Sequence, residues 1–188
     1  MKTAIIVHGM PSKEEYYDPS KRSASRHHFI PWLQRQLILK DILTQTPEMP
    51  EPYDPDYQKW SSVFEQFKIN KDTLLVGHSC GAGFLVRYLS EHKLEAGKVI
   101  LVAPWLDPTS ELKSKMFSFQ IDENLKEKCE DVVMMYSTDD DAEVLSSVDL
   151  LSKKIKDIDV KEFIGKGHFT YTEMGNGEFP ELLEIALS

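Results

Sequence analysis

Five short apolar runs, set apart by longer amphipathic stretches, constrain this chain more than any other feature of its sequence. Residues 3–8, 73–77, 98–103, 132–136 and 160–164 each read as a strand buried on both faces, and 41–44 is a weaker candidate. Helical periodicity falls at 29–40, 55–67, 81–92, 143–156 and 179–187. Strands alternating with helices imply parallel pairing, with right-handed crossovers laying the helices on both faces of the sheet. The expected fold class is therefore three-layer α/β, with a mostly parallel sheet of about six strands in the order 2-1-3-4-5-6. No repeat, low-complexity tract or linker divides the 188 residues, so 1–188 is expected to be a single domain.

Two stretches interrupt the alternation. Residues 12–28 are polar and read as a surface loop, whereas 107–129 exceed a simple crossover and are the candidate for a small lid. A net charge of −9 argues against nucleic acid as a partner, since a phosphate backbone is bound by clustered Lys and Arg. The apolar run at the N-terminus is too short to span a membrane, and no membrane partner is expected. The two cysteines, Cys80 and Cys129, are far apart and lack metal-ligand spacing. They imply no disulfide framework, no metal and a reducing, cytoplasmic setting. No cofactor is implied either, and a monomer or small homo-oligomer is expected.

The strongest chemical signal is Gly77-His78-Ser79-Cys80-Gly81, set between an apolar strand and an amphipathic helix. This is the G-x-S-x-G nucleophile elbow in its strand–turn–helix context, and it makes Ser79 the candidate nucleophile. The turn must be tight, so bulk at 77 or 81 would collide with the neighbouring strand and helix. Serine needs a base. In an elbow-bearing sheet the partners follow in the order serine, acid, histidine. Of the six histidines only His92 and His168 follow Ser79, and His92 closes the elbow helix at its remote end. His168, just past the last apolar run, is the candidate base. The acid that orients it is one of Asp139, Asp140 and Asp141, after the run 132–136, or Asp107, one strand earlier. For the oxyanion hole the backbone N–H groups of Cys80 and Met10 are the candidates. His8 and His78 read as loop-fixing residues and the Cys80 side chain as packing; Trp32, Trp105 and Phe117 are candidates for lining the pocket.

In this order and spacing the chain resembles the small serine hydrolases related to retinoblastoma-binding protein 9 and their YdeN-like bacterial relatives. The resemblance is carried by Ile6-Val7-His8-Gly9, Pro31-Trp32-Leu33, Gly77-His78-Ser79, Ser137-Thr138-Asp139-Asp140 and Gly167-His168-Phe169. It implies an α/β-hydrolase fold and selects the second aspartate of the pair, Asp140, as the acid. The implied activity is cleavage of a small ester-like or amide acyl substrate through an acyl-enzyme on Ser79. The alternatives are a catalytically weak binding protein on the same fold, or a thioesterase or acyltransferase. The L-x-C-x-E retinoblastoma-binding motif is absent, and no such partner is carried over.

Overall fold

The computed structural model describes residues 2–112 and 114–188. Its strands are β1 (Thr3–Val7), β2 (Leu43–Gln45), β3 (Thr73–His78), β4 (Ala96–Val102), β5 (Cys129–Ser137) and β6 (Asp159–Phe163). They form one sheet in the order β2-β1-β3-β4-β5-β6, and every neighbouring pair is parallel. The helices are α1 (Lys13–Tyr17), α2 (Ile30–Ile38), α3 (Tyr57–Phe64), α4 (Cys80–Glu91), α5 (Ala142–Lys154), α6 (Tyr171–Met174) and α7 (Pro180–Leu187).

The apolar runs are continuous because the central strands are covered on both faces: all six residues of β3 are buried, as are Ala4 to Val7 of β1. Two helical groups provide cover. Phe29, preceding α2, meets Phe179 before α7, while Trp60 and Phe64 of α3 meet Phe84 of α4. The expected architecture and strand order hold. β6, however, is not buried on both faces. It is an edge strand with three exposed residues, and Ile164 lies beyond it at 81% exposure. Its alternation with charge suits an edge, where one side of the ladder meets solvent.

No helix among the described residues is long and apolar enough to cross a membrane. The described residues of 107–129 pack beside α4 rather than over the sheet: Phe117 meets Trp105, and the Arg87 guanidinium donates to the carbonyls of Lys115 and Met116 at 2.6 and 2.8 Å. The polar stretch 12–28, by contrast, has structure of its own. Ser12 and Glu15 form a reciprocal capping box that starts α1.

Candidate active site

β3 ends at His78 and α4 starts at Cys80, so the whole reversal falls on Ser79. It adopts φ 54°, ψ −122°, a conformation costing an L-residue on the order of 1–3 kcal/mol. The surroundings hold it there. Its N–H donates to Val102 O at 2.9 Å, and its carbonyl accepts from Ala82, Gly83 and Trp105 at 3.0, 3.2 and 3.2 Å. The flanking glycines provide space. A Cβ on Gly77 would lie 2.5 Å from Ala82 Cα, and one on Gly81 would lie 2.4 Å from the carbonyl oxygens of both Val7 and His8. These obstacles are backbone and cannot swing aside. Gly81→Ala is expected to cost about 3 kcal/mol, the upper end for overpacking, read as a lower denaturant midpoint at unchanged slope. A wild-type midpoint would mean that β1 can retreat from α4.

The imidazole arrives from the other end of the sheet. After β6 the chain turns through Gly165 (φ 71°) and Gly167 (φ 51°), and His168 N–H donates to Glu173 Oε2 at 2.9 Å. His168 Nδ1 lies 2.9 and 3.1 Å from the two carboxylate oxygens of Asp140, whose side chain is wholly buried. Asp140 also accepts the Asp141 N–H at 2.7 Å. The other aspartates do different work. Asp139 accepts from the Ser137 hydroxyl and from Gly165 N–H, tying β5 to the loop that bears His168, and the hydroxyl holds its carboxyl below the usual range. Asp141 sits at the N-cap of α5, yet its side chain makes no capping hydrogen bond. Asp107 accepts Glu111 and Leu112 N–H at 2.7 and 3.0 Å, closing its own turn.

The remaining histidines are largely structural. His8 donates from Nδ1 to Gly9 O (2.7 Å) and accepts Met49 N–H at Nε2 (2.9 Å). His78 donates from Nε2 to the His168 carbonyl at 2.9 Å, and His92 caps α4 while stacked on Tyr88 at 4.1 Å. Burial lowers the pKa of His8, of His78 (helped by the charge of His168) and of His28, the last to about 4 with help from His27. The unfolded chain would therefore take up protons below about pH 6.5 that the folded chain refuses. Stability is expected to fall as pH drops below about 6.5, by up to about 1.4 kcal/mol per unit for His28, with His8 and His78 acting in the same direction. Urea midpoints measured across that range check it, and a flat profile would place charged rings inside the fold.

Ser79, His78 and His168 share one cavity of about 580 Å³. Met10 lines it, and its N–H has no protein acceptor among the described residues; Cys80 opens α4, where N–H groups lack intrahelical acceptors. The Cys80 side chain is fully buried. Trp32, Trp105 and Phe117 do not line the cavity, and neither does any described residue of 107–129. The wall is instead built from 15–24 with His27, His28 and Glu48. The polar stretch 12–28, expected to be a surface loop, thus supplies much of the cavity wall. The Ser12-x-x-Glu15 pattern, a helix-start signature, was the available sign that it is ordered.

Comparison with known proteins places this geometry among relatives. The family model described as Serine hydrolase matches residues 19–186. The YdeN protein of Bacillus subtilis (strain 168) is 26% identical over 187 residues, covering 94% of this chain and 96% of its own. Serine hydrolase RBBP9 of Rattus norvegicus is 28% identical over 168 residues, 86% of each chain. Among solved structures, the ydeN gene product of B. subtilis superimposes with a TM-score of 0.82 at 24% identity, over 100% of this chain and 97% of that one. Est1E from Butyrivibrio proteoclasticus gives 0.64 at 16% identity, over 99% and 87%. At these identities the two structures speak for the α/β-hydrolase fold.

Proposed function

Because the chain belongs to the serine hydrolase family, we propose that it cleaves a small ester-like or amide acyl substrate through an acyl-enzyme on Ser79. The observation that carries this reading is the anchoring of His168 Nδ1 on a wholly buried carboxylate, Asp140, in the cavity that Ser79 lines. A carboxylate can only accept, so Nδ1 bears the proton and Nε2 is left bare to act as base. Ser79 Oγ attacks the carbonyl carbon as its proton passes to Nε2. The tetrahedral oxyanion is received by the N–H groups of Met10 and Cys80, aided by the N-terminus of α4. Collapse breaks the bond to the leaving group, which takes the proton from Nε2. Water then repeats the sequence and releases the acid. Among the described residues Ser79 Oγ makes no hydrogen bond to His168, a contact that commonly tightens only with substrate in place.

A fluorophosphonate probe tests the assignment, because it reacts with an activated serine. Phosphonylation is expected on Ser79 and not on Cys80, whose thiol burial pushes well above its ordinary range. Mass spectrometry that found the adduct on Cys80, or no adduct, would overturn the reading.

A further inference from the structure

The cavity wall contains three carboxylates, and each is engaged by the wall itself. Glu15 accepts Ser12 N–H, Asp18 accepts the N–H and hydroxyl of Ser20, and Glu48 accepts the N–H groups of Ala24 and Ser25. Lys21 and Arg22 make no ion pair among the described residues. The wall thus offers donors to a ligand beside the carboxylate oxygens, Glu15 Oε1 and Asp18 Oδ2, that accept nothing among the described residues.

One of these donors is held in a defined state. His28 lines the cavity, and its ring lies 5.5 Å from that of His78, which in turn lies 4.9 Å from the ring of His168. Its Nδ1 accepts the N–H of Tyr171, the first residue of α6, at 3.2 Å. An N–H can be accepted only by a bare nitrogen, so the neutral ring carries its proton on Nε2. No protein acceptor takes that Nε2–H among the described residues. The backbone is set for this placement, with His28 in the left-handed region at φ 54°. Burial keeps the ring neutral at working pH, so the tautomer persists.

On the reading of Ser79 as nucleophile, we propose that His28 is a specificity-determining residue whose Nε2–H donates to an acceptor oxygen on the acyl group of the substrate. The favoured substrate class is then an acyl chain carrying an ether, hydroxyl or carbonyl oxygen close to the scissile carbonyl, rather than a plain alkyl chain.

Two substitutions separate this role from simple docking of the wall on α6. His28→Asn keeps an acceptor near the Nδ1 position, tolerates positive φ, and removes the donor at the Nε2 position. His28→Gln places an amide N–H near Nε2. The substrates are 4-nitrophenyl methoxyacetate against butyrate, and 3-methoxypropionate against pentanoate, each pair differing by one oxygen for one methylene. His28→Asn is expected to lower the kcat/KM ratio of oxygen ester to carbon ester about tenfold in at least one pair, the upper scale of one neutral hydrogen bond. His28→Gln should hold the ratio within about threefold. The proposal fails if the ratios are unchanged in His28→Asn, or if His28→Gln loses as much. Wild-type protein that hydrolyses no ester and takes no probe on Ser79 would instead refute the hydrolase reading. Calorimetric binding of the same ester pairs then decides for His28, and equal preferences in wild type and His28→Asn would overturn its role.

Discussion

Ser79→Ala is expected to abolish phosphonylation and to lower turnover by on the order of 10⁶, with His168→Ala losing about as much. The sizes match because the two groups work on one proton: an activated hydroxyl without its base, or a base without its hydroxyl, leaves only binding and oxyanion stabilisation. The loss should fall on kcat, since neither change removes the wall that holds substrate. The folded state should survive both changes. Ser79 is held through its backbone, by bonds to Val102, Ala82, Gly83 and Trp105 that alanine retains. His168 donates to Glu173 and accepts from His78 through its main chain. His92→Ala is the control. That ring bonds Tyr88 O at 2.9 Å at the far end of α4, and its loss should leave turnover near wild type. Stopped-time assays on one ester, with thermal melts on each variant, check the set. An active Ser79→Ala would remove the nucleophile assignment altogether.

The second large effect concerns the acid. Asp140→Asn is expected to lower turnover by roughly 10⁴, the scale of neutralising a triad carboxylate, with little change in stability. The amide is isosteric and can still accept Asp141 N–H, as Oδ1 now does at 2.7 Å. What changes is the proton on the ring. An amide N–H pointed at His168 Nδ1 makes that nitrogen the acceptor, so the proton moves to Nε2, where the serine proton has to be received. Asp139→Asn should keep most of the activity, because its role is to accept from Ser137 and Gly165, which an amide oxygen also does. Asp107→Asn should do the same, since its carboxylate serves the Glu111 and Leu112 amides. An inactive Asp107→Asn beside an active Asp140→Asn would move the acid to the loop after β4.

The sheet and the elbow were legible in the sequence for physical reasons. A parallel strand covered on both faces must be largely apolar, as Leu74 to Val76 are before Gly77, and a reversal within one residue leaves a glycine signature on either side. Chain order singled out His168 by the same topological logic. The aspartates were not separable in this way. Asp139, Asp140 and Asp141 occupy one turn, and which carboxylate faces the imidazole depends on side-chain directions that residue type does not encode; the family resemblance made that choice. Edge character at β6 was misread because Val160, Phe163 and Ile164 alone suggested an interior strand, while Asp159, Lys161 and Glu162 between them marked solvent. The cavity wall was hidden for another reason. A polar stretch whose carboxylates cap its own turns has the composition of any surface loop, and its order lies in spacings such as Ser12 to Glu15 and in the distant partners Glu48 and Tyr171.

The hydrogen bond from the His78 ring to the main chain of His168 has a consequence for redesign. It joins β3 directly to the loop bearing His168, so Ser79 and His168, the proposed reacting groups, are tied into one frame. The wall 15–24 contributes no strand to the sheet, and among the described residues its ties to the rest of the fold run largely through side chains such as Glu48. The wall 15–24 can therefore be exchanged separately from the frame that carries Ser79 and His168, whereas His28, docked on Tyr171, belongs with the frame. Grafting a different wall onto this frame is the direct route to new substrates, and the same separation would let related chains diverge in what they cleave while retaining how they cleave it.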